Sequence, residues 1–379
     1  MSVEIWPPIT PEQLKIEEDA TQARELTWLL QNLQSTLLSL KHGLEECYAL
    51  LAPIDPGSTL VLSTPRAELV KGHVTRVGAR LVKGTIHTRL RTTAPQTLSI
   101  NPARPIHLAP LAALNTILTQ AVDLASLCCG EAGRAGEADR ASTAAVLSSQ
   151  LRLLAQGVDD AAAILKGSPP APSPPATNTS RPGTAAADAG VASTDRGGGG
   201  GGENDWTQYS AASTSFTPPL GPALSFHVTI HDACLVLHLR TLEPADAPVN
   251  LGIKLALAIG TARRLEHDEA EKVFAYVRHE SDPRDPQPYP TRGSRGSAAG
   301  RDGGAGAGAG ASHGGSGGEV ERVYVREKVR VESADPSLLS MSTKLSALSN
   351  TLSLARRNLA TVMGEDFNVY NYQFARLTS

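Results

Sequence analysis

Leucine recurs in alternating steps of three and four residues at both ends of this chain, and that doubled pattern limits the fold more than any other feature. The first stripe is Leu26, Leu30, Leu33, Leu37, Leu40, Leu44, Cys47 and Leu51. The second is Leu338, Met341, Leu345, Leu348, Leu352, Ala355, Leu359 and Val362. Such steps put side chains on one face of an α-helix, at the a and d positions of a seam. Each Leu withdrawn from water contributes roughly 1.5–3 kcal/mol, so neither helix keeps its stripe in solvent alone. The stripes require partners, within the chain or in another chain.

Local signals set the helix ends. Thr10 can cap, Pro11 suits the first helical position, and Glu12, Glu17, Glu18 and Asp19 favour the early turns. Pro53 stops this first helix. A second pattern follows Pro110, with Leu111, Leu114, Leu118, Ala121, Ala125 and Cys128 in step. A third runs Leu147, Leu151, Leu154, Val158, Ala161 and Leu165, where Gly157 costs about 1 kcal/mol relative to Ala. Asp335 and Pro336 open the last helix.

Between the stripes the period changes to two. TLVLS reads as a short strand, and ELVKGHVTRVGARLVKGTIHTRLR alternates Val70, Val74, Ile86 and Leu90 with polar residues. Gly72, Gly78 and Gly84 are expected at tight turns or bulges of an antiparallel meander. Order resumes near Phe216. Phe226, Val228 and Ile230, then Leu235, Leu237 and Leu239, form a hairpin around Asp232. Further strands are expected at LGIKLALAI, with Leu251, Ile253, Leu255, Leu257 and Ile259 on one face, and at Val323, Val325, Val329 and Val331.

The predicted fold class is therefore α+β: an antiparallel helical bundle built from both chain ends, with an inserted antiparallel β domain. The bundle takes residues 11–55, 105–166 and 336–364, and the β domain residues 56–100 and 216–334. Gly 34 and Pro 26 are concentrated in tracts that cannot bury enough surface to offset the entropy of ordering, so 167–215 and 281–319 read as disordered inserts. With 41% apolar but 4% aromatic residues, the core is one of Leu, Val and Ala.

The formal net charge is -3, and the basic residues Arg66, Lys71, Arg76, Arg80, Lys83, Arg89 and Arg91 are spread over strands, so nucleic acid is not the expected partner. No apolar run approaches the ~20 residues of a membrane span, and MSVEIWPPITPEQ lacks the basic flank of a leader, so neither insertion nor secretion is expected. Cys47 and Cys234 occupy apolar positions, and the adjacent Cys128 and Cys129 form no CxxC. Reduced structural thiols fit this usage and a cytosolic setting.

The sequence carries no recognisable catalytic or metal-ligating constellation. His227 and His231 stand four apart, but in a strand this separates them by roughly 13 Å, too far to share a zinc ion. His238 and His267 add no ligand shell. There is no HExxH or P-loop segment; the letters of GxSxG and GxGxxG occur only inside the glycine runs GGSGG (Gly314 to Gly318) and GGGGGG (Gly197 to Gly202), which, like the run near Gly303, lack a strand before and a helix after. Glu45 and Glu46, and Asp159 and Asp160, lie beside apolar seams, where charges set helix orientation and solubility. Trp28, next to the Leu30 seam, is assigned to the core rather than to a partner. No residue is nominated for catalysis, cofactor binding or metal binding, and binding of other macromolecules is the default function.

Taken together and in order, the segments RELTWLLQNLQSTLLSLKHGL, LVKGHVTRVGARLVKGTIHTRL, HLAPLAAL, PPLGPALSFHVTIHDACLVLHL and DPSLLSMSTKLSALSNTLSLARRNLA resemble the Rogdi leucine-zipper family. That family includes the small fungal subunit of the complex that regulates vacuolar and endosomal ATPases. The resemblance implies a non-catalytic scaffold with no catalytic residues or cofactors to carry over. Its implied partners are a large β-propeller subunit, a Skp1-like adaptor and the soluble sector of the V-type proton ATPase, which it would help to place on the membrane sector. The implied location is the cytoplasm, with peripheral recruitment to vacuolar and endosomal membranes. The long Gly/Pro/Ala inserts depart from the family pattern. An alternative reading uses the same stripes between chains, in a homo-oligomeric coiled-coil protein of trafficking or the cytoskeleton. An enzyme would have to draw on His227, His231 and Asp232 at the hairpin.

Overall fold

The computed structural model describes residues 9–64, 68–134, 140–167, 206–246, 267–270, 272–277 and 320–364. The strand expected at 251–259, most of the first insert and the whole of the second lie outside them. The chain divides into two compact units, one made of Met1–Asp55, Pro110–Leu165 and Asp335–Ser379, the other of Pro56–Ala109 and Lys166–Ala334. The fold is mixed, with helices from both ends of the chain and two antiparallel sheets.

The helical unit holds α1 (Pro11–Leu51), α2 (Ala109–Arg134), α3 (Arg140–Lys166) and α5 (Pro336–Val362). Thr10 caps α1 by accepting from the Gln13 amide, and the Asp335 carboxylate caps α5 by accepting from the amides of Ser337 and Leu338. Each cap satisfies donors that the first turn leaves unpaired. Along α1 the buried residues are Leu29, Leu30, Leu33, Leu37, Leu40, Leu44, Cys47 and Leu51, and along α5 they include Leu338, Met341, Leu345, Leu352 and Leu359.

Those two faces meet. Lys344 bonds Glu46, and the Gln22 amide nitrogen donates to the Val362 carbonyl at 3.0 Å, so α1 and α5 run antiparallel. They pack tightly at Gly43, where a β-carbon would lie 2.6 Å from Leu348 Cδ2. On α3, Asp159 accepts from Ser349 of α5 at 3.0 Å. A β-carbon on Gly157 would lie 4.0 Å from Ile117 of α2, and one on Gly133 would lie 3.3 Å from the Gln34 side chain of α1, so α3 neighbours α2 and α2 neighbours α1.

Two expectations about these helices are corrected. Trp28 is 66% exposed. Two residues along a helix turn the side chain by about 200°, so Trp28 points away from the seam that Leu30 faces. Second, the stretch Ala109–Gly133 is long and apolar enough to cross a membrane by length and composition. Core helices share that character, and its Leu111, Leu114, Leu118, Ala125 and Cys128 are buried.

The β unit holds two sheets. In the first, β1 (Ser58–Ser63), β2 (Val70–Val77), β3 (Arg80–Thr88), β4 (Gln96–Ile100) and β6 (Phe216–Thr217) pair in that order, and β5 (Ile106–His107) pairs with the start of β3. Ile106 and His107 were expected to belong to the helical part and are strand instead. Gly78, with φ 57°, makes the turn from β2 to β3. Gly72 and Gly84 are not turns: they lie inside paired strands, opposite Ile86 and Val74. A β-carbon on Gly72 would meet the Thr85 carbonyl oxygen at 2.1 Å, so close backbone approach explains the residue.

In the second sheet β7 (Leu224–His231), β8 (Cys234–Pro244), β10 (Val320–Ala334) and β9 (Val273–Val277) pair in that order, every pair antiparallel. Asp232 and Ala233, at φ 48° and 56°, form the two-residue turn of the predicted hairpin. The expectation of disorder through residue 215 is overturned at its last ten positions: α4 (Trp206–Tyr209) and a 3-10 turn (Ser213–Ser215) precede β6. Trp206, 1% exposed, packs with Leu242, Phe274, Tyr276, Val323 and Val325.

Candidate functional site

The histidines that invited a chemical reading are dispersed along the second sheet. His227 of β7 is buried and faces His238 of β8, ring centres 6.2 Å apart. Burial, with Arg240 nearby, pushes His227 down to about 4 and His238 to about 3, so both are neutral near pH 7. His231 stands in solvent at the hairpin and pairs with Asp232 at 3.1 Å. His267 accepts from the Glu269 amide at 3.2 Å. Among the described residues no group of three His, Cys, Asp or Glu could hold a metal ion.

Beside this pair lies a polar network that sequence reasoning missed. Arg240 donates through Nε and Nη2 to the two oxygens of Glu269, at 2.7 and 2.9 Å, with both side chains buried. Lys328 of β10 donates to Glu269 at 2.7 Å and to Asp268 at 3.1 Å. The Arg240 guanidinium also lies 4.5 Å over the Trp206 ring. Burial raises the Glu269 pKa, but the bonds from Arg240 and Lys328 outweigh it and hold the carboxyl below its ordinary value. Both its oxygens are engaged by cations, so Glu269 fastens β8 to β10 rather than offering a base. The sequence signal was an Arg within a largely apolar strand; its partner came from a segment with no periodicity.

A second carboxylate joins the two sheets. Glu327, at the bulge of β10, accepts from the amides of Arg91 and Thr92 at 2.8 and 3.1 Å and from the Thr92 hydroxyl. The Thr92 and Thr241 hydroxyl oxygens lie 2.9 Å apart, so Thr92 can accept from Thr241 while donating to Glu327.

In the helical unit one seam carboxylate acts between helices and its neighbour within one. Glu46 bonds Lys344 and lies 3.3 Å from His42 Nε2, while Glu45 lies 3.8 Å from Lys41. Glu46 is lowered by the Lys344 hydrogen bond, and Lys344 is raised by the same contact. The cysteines are free thiols. Burial pushes Cys47 and Cys128 up to about 11, which keeps them protonated and unreactive. Cys234, expected to be buried, is only partly covered at the start of β8.

Interlocked helices, two sheets and saturated ion pairs define a mixed α/β protein in which the described polar groups tie elements together. A family model described as Rogdi leucine zipper containing protein matches residues 25–360, nearly the whole span of described structure. The chain belongs to that family. No curated protein matches it.

Proposed function

We propose that this protein is a non-catalytic scaffold or adaptor subunit that promotes assembly of the V-type proton ATPase, helping to bring its soluble sector onto the membrane sector and so supporting vacuolar acidification. Membership of the Rogdi family, over a match spanning residues 25–360, is the observation that carries this reading. Rigid faces suit the task. A four-helix bundle closed by both chain ends and a β unit offer separate surfaces for separate partners. The partners in this reading are the large β-propeller subunit of the regulatory complex, a Skp1-like adaptor and the soluble pump sector. The protein then works in the cytoplasm and reaches vacuolar and endosomal membranes through those partners, without a cofactor.

The test is affinity capture of the tagged full-length chain from cells deprived of glucose and then resupplied. The reading expects both the propeller subunit and soluble pump subunits in the eluate. Absence of both would reject it.

A further inference from the structure

We propose that the solvent face of the first sheet is a docking surface for an extended, carboxylate-rich segment of a partner protein, which rests on the adaptor reading and gives the chemistry of one of its contacts. Strand register assembles this face. Ser63, Lys71, His87 and Thr97 stand side by side across β1, β2, β3 and β4. Two residues along, His73 lies opposite Thr85, and Lys83 lies beyond it on β3. The alternate residues Leu60, Leu62, Val70, Val74, Ile86 and Leu98 are buried, so a slip of register is excluded and the polar row must face outward.

The cations placed on this face are Lys71 and Lys83, and Glu68 is the sole carboxylate in the sequence between Pro56 and Ala109. It sits 3.6 Å from Lys71, and both side chains are about two-thirds exposed, so an incoming carboxylate can compete for that ammonium. Lys83, His73 and His87 are exposed on the same face. On this face His87 Nδ1 and the Thr97 hydroxyl lie 2.8 Å apart.

Geometry selects the occupant. Along one strand, alternate residues repeat every ~6.7 Å, the same spacing at which an extended acidic peptide presents its own alternate side chains. Lysines then meet carboxylates while the hydroxyls and imidazoles fill the intervening positions. Single-stranded nucleic acid fits poorly, because no Phe, Tyr or Trp stands in these rows for a base to stack on. An anionic membrane fits poorly too: Val61 is the exposed aliphatic on β1, and a few basic residues alone add only a few-fold each to lipid binding.

The experiment measures binding of a fluorescein-labelled peptide of alternating Glu and Thr to the full-length chain by anisotropy. Wild type is expected to bind, with affinity that falls as salt is added. Reversing two exposed charges, in Lys71→Glu with Lys83→Glu, is expected to weaken binding at least about tenfold while the melting temperature is kept. Lys71→Gln with Lys83→Gln should rank between them and supplies the answer if the reversal disturbs folding. Equal binding by all three proteins would overturn the proposal. So would capture of the chain by phosphatidylserine vesicles or single-stranded RNA without peptide binding. The pump capture described above fails or succeeds separately: peptide binding without pump capture removes the adaptor reading and leaves the surface, and the reverse removes the surface alone.

Discussion

Lys344 on the last helix donates to the carboxylate of Glu46 on the first, across 298 residues of chain. The pair sits at the solvent edge of the buried α1 and α5 faces. It fixes their relative register, because a shift by one turn would separate the charges. Glu46 is held below its ordinary value, so its contribution is present above the unfolded carboxylate pKa and is lost as the pH falls through the depressed folded value. Lys344 is raised, so its contribution is lost only as the pH rises through that raised value. Lys344→Glu is expected to lower the melting temperature at neutral pH, and Glu46→Lys combined with Lys344→Glu to recover most of it. No recovery in the double variant would assign the loss to something other than the pair.

Gly43 lies against Leu348 of α5, with the would-be β-carbon 2.6 Å from Leu348 Cδ2. Ala there gains helix propensity, about 1 kcal/mol, at the expense of a small shift of a flexible Leu. Leu there overpacks the contact and is expected to cost about 1–3 kcal/mol in urea unfolding. Adding Leu348→Ala to Gly43→Leu should return part of that loss; additive losses would mean the two positions do not touch.

Glu327 accepts two backbone amides, those of Arg91 and Thr92. Glu327→Ala leaves these donors unpaired and is expected to cost about 1–3 kcal/mol. Faster hydrogen exchange at Arg91 and Thr92, while the α1 amides keep their protection, is the accompanying signature. Unchanged exchange there would show that the carboxylate does not hold the loop.

Acid should act on the β unit through His227 and His238. Their folded pKa values, about 4 and about 3, lie below the ordinary imidazole value of 6.5. Between those limits the unfolded chain binds more protons than the folded one, so stability is full above pH 6.5 and declines as the pH falls toward about 4 for His227 and about 3 for His238. His227→Gln with His238→Leu is expected to flatten this decline in denaturation midpoints measured at successive pH values. A decline as steep as wild type would place its origin elsewhere.

The helices were legible because their signals are local and repeated. Both stripes, the Thr10 and Asp335 caps and the proline positions require only that each segment bury one face. The Asp232 hairpin was legible for the same reason. What was not legible depends on distant residues. Gly72 and Gly84 look like turn residues until register places each against a neighbouring strand's backbone. Trp206 follows a tract of glycine, yet it is buried because Phe274, Tyr276 and Arg240 arrive from later in the chain. In a chain with 4% aromatic residues, a Trp at the edge of a low-complexity tract was the available warning. Trp28 failed in the opposite sense, because nearness in sequence to a seam residue is not nearness in angle. Glu269 and Glu327 could not be found from spacing at all, since neither belongs to a periodic set with its partners.

The central claim is that the first and last helices close against each other within one molecule. Carbodiimide coupling of Lys344 to Glu46 in an equal mixture of light and isotopically heavy chains, read by mass spectrometry, tests it most directly. The account predicts coupled peptides that are entirely light or entirely heavy. Mixed light and heavy pairs at the statistical proportion would show that the stripes join separate chains.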